Sequence, residues 1–373
     1  MNNFIPVNVP ILTGNEKKYV NECIDTGWIS SEGPFVERFE AAFAARVGRK
    51  YGIAVSNGTA ALDVAIAALG IEEGDEVILP TFTIISCAQA IVRSGAVPIV
   101  VDSDSNTWNM DVSEVEAKIT SRTVAIMVVH IYGLPVDMGA IHKIAKKHNI
   151  KVIEDAAEAI GLEFKGQECG SFGDISTFSF YPNKHITTGE GGMVLTDDID
   201  LAERCRKLRN LCFTPEKRFV HEELGWNYRL TNLQAAIGLA QVEKMDEHLD
   251  KKRQIGKRYN QLLNGMSGVQ LPLPSIIGSE NLYWIYGLVI NEGLELTPSS
   301  VMKKLSNKGI GTRPFFWCMH EQPVFQRMGL FPNESYPNAE KLARRGFYVP
   351  SGLALTNHEI ERVAISLKEI FNA

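Results

Sequence analysis

Residues 176–197 read STFSFYPNKHITTGEGGMVLTD. An apolar run, Thr177–Tyr181, leads to Lys184 and then to a segment holding Gly189, Gly191 and Gly192, after which Met193–Thr196 is apolar again. Two short apolar runs of this kind predict strands. Glycines between them let backbone approach closely or take positive φ. A lysine at such a place is stripped of water, which lowers its proton affinity and frees an amine to attack an aldehyde. Taken alone, the same lysine also reads as an ordinary solvated charge, so its partners elsewhere decide.

Working outward, the first half of the chain alternates apolar runs with amphipathic stretches. Residues 59–69 predict a helix, Glu76–Leu79 a strand ending at Pro80, and Ile85–Ser94 a second helix. Pro98–Val101, Val124–Val129 and Val152–Glu154 predict further strands. Runs with so little alternation suit an α/β sheet covered by helices on both faces. After Asn232 the text LQAAIGLAQVEKMDEHLDKKRQIGKRYNQLL predicts one long helix bridging two units. Residues 271–281 predict a loop, followed by a strand from Tyr283, a helix over 299–308, another strand, a loop-rich stretch over 314–338 and a closing helix after Asn357. The expected division is a large α/β domain over 1–240 and a smaller C-terminal α+β domain over 241–373.

Composition narrows the function. A 373-residue chain with 45% hydrophobic residues and a net charge of −6 suits a globular protein that avoids nucleic acid, since phosphate neutralisation needs a basic face. The six cysteines, Cys23, Cys87, Cys169, Cys205, Cys212 and Cys318, form no CxxC pair, which predicts free thiols and no metal centre. The start, MNNFIPVNVPIL, lacks a basic region followed by a long apolar stretch, and no apolar run reaches membrane-spanning length. A cytoplasmic protein without membrane contact is expected.

Four further segments hold partners for Lys184. SNGTAAL (56–62) turns directly into a helix, so Gly58 and Thr59 either hold an anion with backbone N–H groups and a hydroxyl or form a plain helix start. IEDAAEAIG (153–161) ends a strand with Asp155, which either pairs with a protonated pyridine nitrogen or caps a helix, and Glu158 lies three residues on. Ser179 offers a second hydroxyl for a phosphate. NYRLTN (227–232) mixes amide, phenol and guanidinium before a helix, or is a surface loop.

Asp155 at a strand end, Ser179, Lys184 and TTGEGG, in this order after SNGTAAL, resemble the DegT-type nucleotide-sugar aminotransferases of the aspartate-aminotransferase fold. The resemblance runs from DTGWISSEGPFVERFE (25–40) to RRGFYVPSGLALTNHEIERV (344–363). It implies pyridoxal 5'-phosphate (PLP) as cofactor, a mostly parallel seven-stranded sheet in the large domain, and a homodimer with shared active sites. By resemblance Lys184 binds the cofactor covalently, Asp155 faces its pyridine nitrogen and Glu158 lies near its ring hydroxyl. Gly58, Thr59 and Ser179 hold its phosphate, and Asn227 reaches it from the neighbouring subunit. His130 in HIYG either lies beside the cofactor or packs in the core. In PTFTIIS (80–86), Ile84 stands where many members carry an aromatic ring that stacks on the cofactor, forgoing a stacking contribution of about 1 kcal/mol.

TGWISS, NYRLTNLQAAIGLAQVE and RPFFWCMHEQPVF are similar to the members that make GDP-perosamine from GDP-4-keto-6-deoxymannose. That likeness implies two half-reactions with L-glutamate as amino donor and Lys184 as the proton carrier. Arg229 and Arg313 are the arginines for the diphosphate, with Trp28 and His320 on the sugar side. A C4 aminotransferase acting on a UDP- or dTDP-linked 4-keto-6-deoxyhexose stays open, as does a non-catalytic PLP-binding regulator. A sugar dehydratase of the same fold would carry histidine at the lysine position, and here Lys184 is intact.

Overall fold

The computed structural model describes residues 4–214 and 219–372. Valine- and isoleucine-rich runs that lack polar alternation must be covered on both sides, and seven of them meet in one sheet. In chain order these are β1 (Tyr51–Val55), β2 (Glu76–Pro80), β3 (Val97–Val101), β4 (Thr123–Val129), β5 (Lys151–Asp155), β6 (Ile175–Ser179) and β7 (Gly192–Thr196). Their spatial order is β1-β7-β6-β5-β4-β2-β3, parallel except for β7, which runs antiparallel to both neighbours. The register sets Val129 beside Asp155, Asp155 beside Thr177, and Gly192 beside both Ser179 and Val55. The carboxyl ends of β4, β5 and β6 thus share one rim with the start of β7, where open parallel sheets bind ligands.

Helices α1 (Glu16–Thr26), α2 (Pro34–Val47), α3 (Gly58–Ala68), α4 (Ile85–Arg93), α5 (Met138–His148) and α6 (Ile199–Leu208) cover the sheet. Alanines 60, 61 and 65 let α3 lie close to Ile53 and Val194. On another part of the sheet, Phe43 of α2 meets Phe178 and Phe180 edge-on at 4.9 and 5.0 Å between ring centres. Asn57 starts α3 by accepting the Ala60 amide at 2.8 Å, and Asp137 and Asp198 start α5 and α6 in the same way.

The expected long helix is two, α7 (Asn232–Glu243) and α8 (Met245–Leu263). Lys244 leaves helical geometry at φ −110° and ψ 9°, and its amide bonds Gln241 three residues back at 3.1 Å. Met245 and Leu249 then pack with Ile160 and Leu162 beside the large sheet, while Ile255, Tyr259 and Leu263 enter the core around a second sheet. That sheet is antiparallel, in the order β8 (Val269–Gln270), β9 (Tyr286–Ile290), β11 (Gly346–Val349), β10 (Arg313–Pro314). It packs with α9 (Pro298–Asn307), α10 (Pro337–Arg345) and the closing α11 (Asn357–Phe371). The loop read over 271–281 contains a minimal hairpin, Ser275–Ile276 with Ser279–Glu280. The N-terminal strap lies beside this unit, with Val7 accepting from Ser351 and Asn8 donating to the Pro182 carbonyl at 2.6 Å.

Candidate active site

Lys184 lies in the turn after β6, its amide bonded to the Tyr181 carbonyl at 2.9 Å. The return to β7 is built by hydroxyls: Thr187 donates to the Phe180 carbonyl at 2.7 Å and accepts from the Gly189 amide at 2.9 Å. Gly192 is required by contact, since a Cβ there would sit 2.4 Å from the Asn57 carbonyl oxygen. The segment therefore brings β7, the start of α3 and the lysine together.

The Lys184 side chain is 10% exposed, with its amine 3.9 Å from Glu158 Oε1 and 3.9 Å from the centre of the Trp284 ring. Burial lowers the proton affinity of this amine, while Glu158, Asp155 and Cys87 pull the other way. Glu158 accepts the Tyr132 amide at 3.1 Å, and burial raises its carboxyl. Asp155 ends β5 and accepts the Ala157 amide at 3.1 Å and the Cys87 thiol at 3.2 Å. Burial raises Asp155 as well, which disfavours its carboxylate unless a cation lies beside it.

At the opposite wall, Gly58 and Thr59 begin α3, where no carbonyl one turn back can reach the N–H groups. A Cβ on Gly58 would lie 2.8 Å from Ser179 Cβ, so the glycine leaves an open cradle between the helix start and the serine. Thr59 Oγ1 lies 2.9 Å from Ser86 Oγ. Gly58, Thr59, Ile84, Asp155, Glu158, Ser179 and Lys184 all border one cavity of about 560 Å³, within the usual range for small-molecule sites.

Other expected site residues lie elsewhere. His130 is fully buried on the opposite face from Val129; its Nε2 pairs with Glu154 at 2.9 Å and its Nδ1 accepts the Val136 amide at 3.1 Å, so it belongs to the core. His320 is also enclosed, with Nδ1 2.7 Å from Thr81 Oγ1 and Nε2 3.2 Å from Glu340, which leaves no ring nitrogen for a sugar. Arg229 borders a separate cavity of about 640 Å³ with Arg206 and Arg209, its guanidinium bonded to Asn210 at 2.7 Å. Asn227 forms an isolated bridge with Asn210 and does not border the Lys184 cavity, although its neighbour Tyr228 does. Trp28 is 50% exposed in the turn between α1 and α2, its carbonyl accepting from Asn232 at 2.7 Å. Arg313 borders an adjoining cavity of about 340 Å³ that shares Tyr181, Asn183, Trp284 and Tyr348 with the first.

Sequence reading missed the aromatic wall, Phe316, Trp284 and Tyr348, and the Cys87 thiol beneath Asp155. Trp284 and Tyr348 sit in ordinary strand-like text, and Cys87 was one of six unremarkable thiols.

The residues present fit a phosphorylated pyridine aldehyde. The glycine cradle at the α3 start is shaped for a phosphate, Asp155 for a ring cation, and the water-poor Lys184 amine for an aldehyde.

The sequence pattern described as the DegT/DnrJ/EryC1/StrS aminotransferase family matches residues 10–368. The chain is 44% identical over 369 residues to a GDP-perosamine synthase of Escherichia coli O157:H7, covering 99% of each chain. It is 45% identical over 367 residues to a GDP-perosamine synthase of Caulobacter vibrioides, covering 98% of each. Among solved structures, DesV of S. venezuelae in complex with a ketimine intermediate superimposes with a TM-score of 0.89 at 31% identity, over 96% of this chain and 95% of that one.

Proposed function

The chain belongs to the DegT/DnrJ/EryC1/StrS aminotransferase family, whose cofactor is PLP, and from that premise we propose that it moves the amino group of L-glutamate to C4 of GDP-4-keto-6-deoxymannose, giving GDP-perosamine. The observation that carries the amino transfer is the buried Lys184 amine, set between Glu158 and the indole of Trp284 in a cavity whose walls suit a phosphate and a ring cation. Likeness to the two GDP-perosamine synthases over at least 98% of each chain supports the choice of sugar.

Bound PLP supplies an aldehyde that condenses with amines and a ring that takes up an electron pair. Gly58, Thr59 and Ser179 would hold its phosphate, Asp155 its pyridine nitrogen and Glu158 its ring hydroxyl. Ile84 would pack on the ring without stacking, with Trp284 and Phe316 supplying aromatic surface nearby. The Lys184 amine would serve as the base that takes a proton from the donor's α-carbon and as the acid that returns it to the carbon of the cofactor's former aldehyde. Its lowered proton affinity leaves it a free base nearer neutral pH. Arg313 reaches the diphosphate from the same chain, while Trp28, Asn227 and Arg229 come from the partner in a homodimer. The large domain ends near residue 240. The protein works in the cytoplasm, without membrane or nucleic-acid contact, and the product goes to a surface glycan such as lipopolysaccharide O-antigen.

Incubation with GDP-4-keto-6-deoxymannose and L-glutamate should release GDP-perosamine and 2-oxoglutarate in equal amounts. Lys184→Ala should lower turnover by roughly 10²–10⁴-fold or more and abolish borohydride fixation of the cofactor. Turnover of only a UDP- or dTDP-linked 4-keto sugar would transfer the assignment to that nucleotide. No turnover of any of them, with the cofactor still bound, would favour the regulator.

A further inference from the structure

We propose that Trp284 is a positioning residue for the Lys184 amine, its indole face held against that amine by the buried side chain of Lys252. The proposal rests on Lys184 being the cofactor-binding amine.

Trp284 precedes β9 of the small sheet, far in sequence from the lysine whose amine lies 3.9 Å from its ring centre. Its Nε1 donates to the Asn183 carbonyl at 2.9 Å, so the indole grips the backbone next to Lys184 as well as the amine itself. At its other end, the Trp284 carbonyl accepts from Lys252 Nζ at 2.7 Å. Lys252 Nζ also donates to the Ser351 carbonyl at 2.6 Å, just beyond β11, whose Tyr348 borders the same cavity. One amine on α8 thus fastens both small-sheet segments that face the active lysine.

Lys252 is 3% exposed and has two carbonyls, and no carboxylate, among its hydrogen-bond partners in the described residues. A neutral amine has two N–H bonds, matching the two carbonyls, and burial lowers Lys252 to about 7. Lys252 therefore acts as a fastener.

An aromatic face attracts an ammonium and ignores a neutral amine, by about 2 kcal/mol at a water-poor site. The charged and titratable groups around Lys184 include Glu158, Asp155 and Cys87 from the large sheet side, the buried His185 next to it and Tyr348 of the small sheet. The indole stabilises the charged amine without adding a further carboxylate. It fixes where Nζ points while burial keeps its proton affinity low.

The test begins with wild-type protein carrying PLP: borohydride must fix the cofactor on Lys184, and if it does not, the cofactor site itself is wrong whatever Trp284 does. Given that result, the rate at which cofactor-free enzyme captures PLP is followed against pH, its midpoint reporting the Lys184 amine. Trp284→Leu should lower the midpoint by about one and a half pH units, and Trp284→Phe by less, each variant first shown by circular dichroism to be folded. Lys252→Met should shift it in the same direction, because the indole loses its anchor. A Trp284→Leu midpoint equal to or above the wild-type value would overturn the positioning role. An unmoved Lys252→Met midpoint would overturn the fastening by Lys252.

Discussion

Two buried lysines meet different partners, and their chemistry diverges accordingly. Lys184 faces Glu158 and Asp155, whereas Lys252 faces main-chain carbonyls. In the unfolded chain a lysine titrates at about 10.4, and in the fold Lys252 is lowered to about 7. Between those values the unfolded chain binds more protons, so stability rises with pH across that window. The gain is complete above the unfolded value and lost as pH falls toward the folded one. Lys252→Met should flatten this slope in urea titrations run at several pH values, while lowering stability overall because two carbonyls lose their donor. An unchanged slope would show that Lys252 stays charged in the fold. Lys184 and Trp284 mark what could be read from sequence. Lys184 stood out because a strand, a lysine and glycines follow one another in one short stretch. Trp284 did not, because it meets Asn183 across 101 residues of chain and nothing in its own neighbourhood marks that contact.

The elements were legible wherever the chain's own periodicity set them. β2 to β5 and α3, α4 and α11 lie within a residue or two of their expected bounds, because apolar runs and capping residues are local signals. The break at Lys244 was not legible. The sequence there is helix-forming throughout, and the turn arises from packing Met245 and Leu249 on one core and Tyr259 and Leu263 on another. The junction of α3 with β6 shows how tightly elements must fit to make a site. At Gly58 a methyl group would lie 2.8 Å from Ser179 Cβ, closer than carbon atoms tolerate. Gly58→Ala must push helix and strand apart at the phosphate cradle, a strain of about 1–3 kcal/mol. PLP affinity should fall roughly tenfold or more, read by absorbance titration, with the helix content of the protein unchanged. Wild-type affinity in this variant would show that the phosphate does not sit between Gly58 and Ser179.

At the scale of the whole molecule, one chain lines the Lys184 cavity with seven of the expected site residues but not with Asn227 or Arg229. Asn227 bridges Asn210 and Arg229 borders the cavity lined by Arg206 and Arg209; neither borders the Lys184 cavity of its own chain, although Tyr228 between them does. In a symmetric pair the same patch of each subunit meets its copy, so a residue useless to its own site can serve the neighbour's. If Asn227 acts across such a boundary, Lys184→Ala and Asn227→Ala damage different halves of one site. Each variant alone should be inactive or nearly so. When both are produced together, a mixed dimer carries both lesions in one site and neither in the other. Random pairing then leaves about a quarter of all sites intact, and activity should return to about that fraction. Activity that stays at the level of the separate variants would mean that Lys184 and Asn227 serve the same subunit's site, and the shared-site assembly would have to be given up.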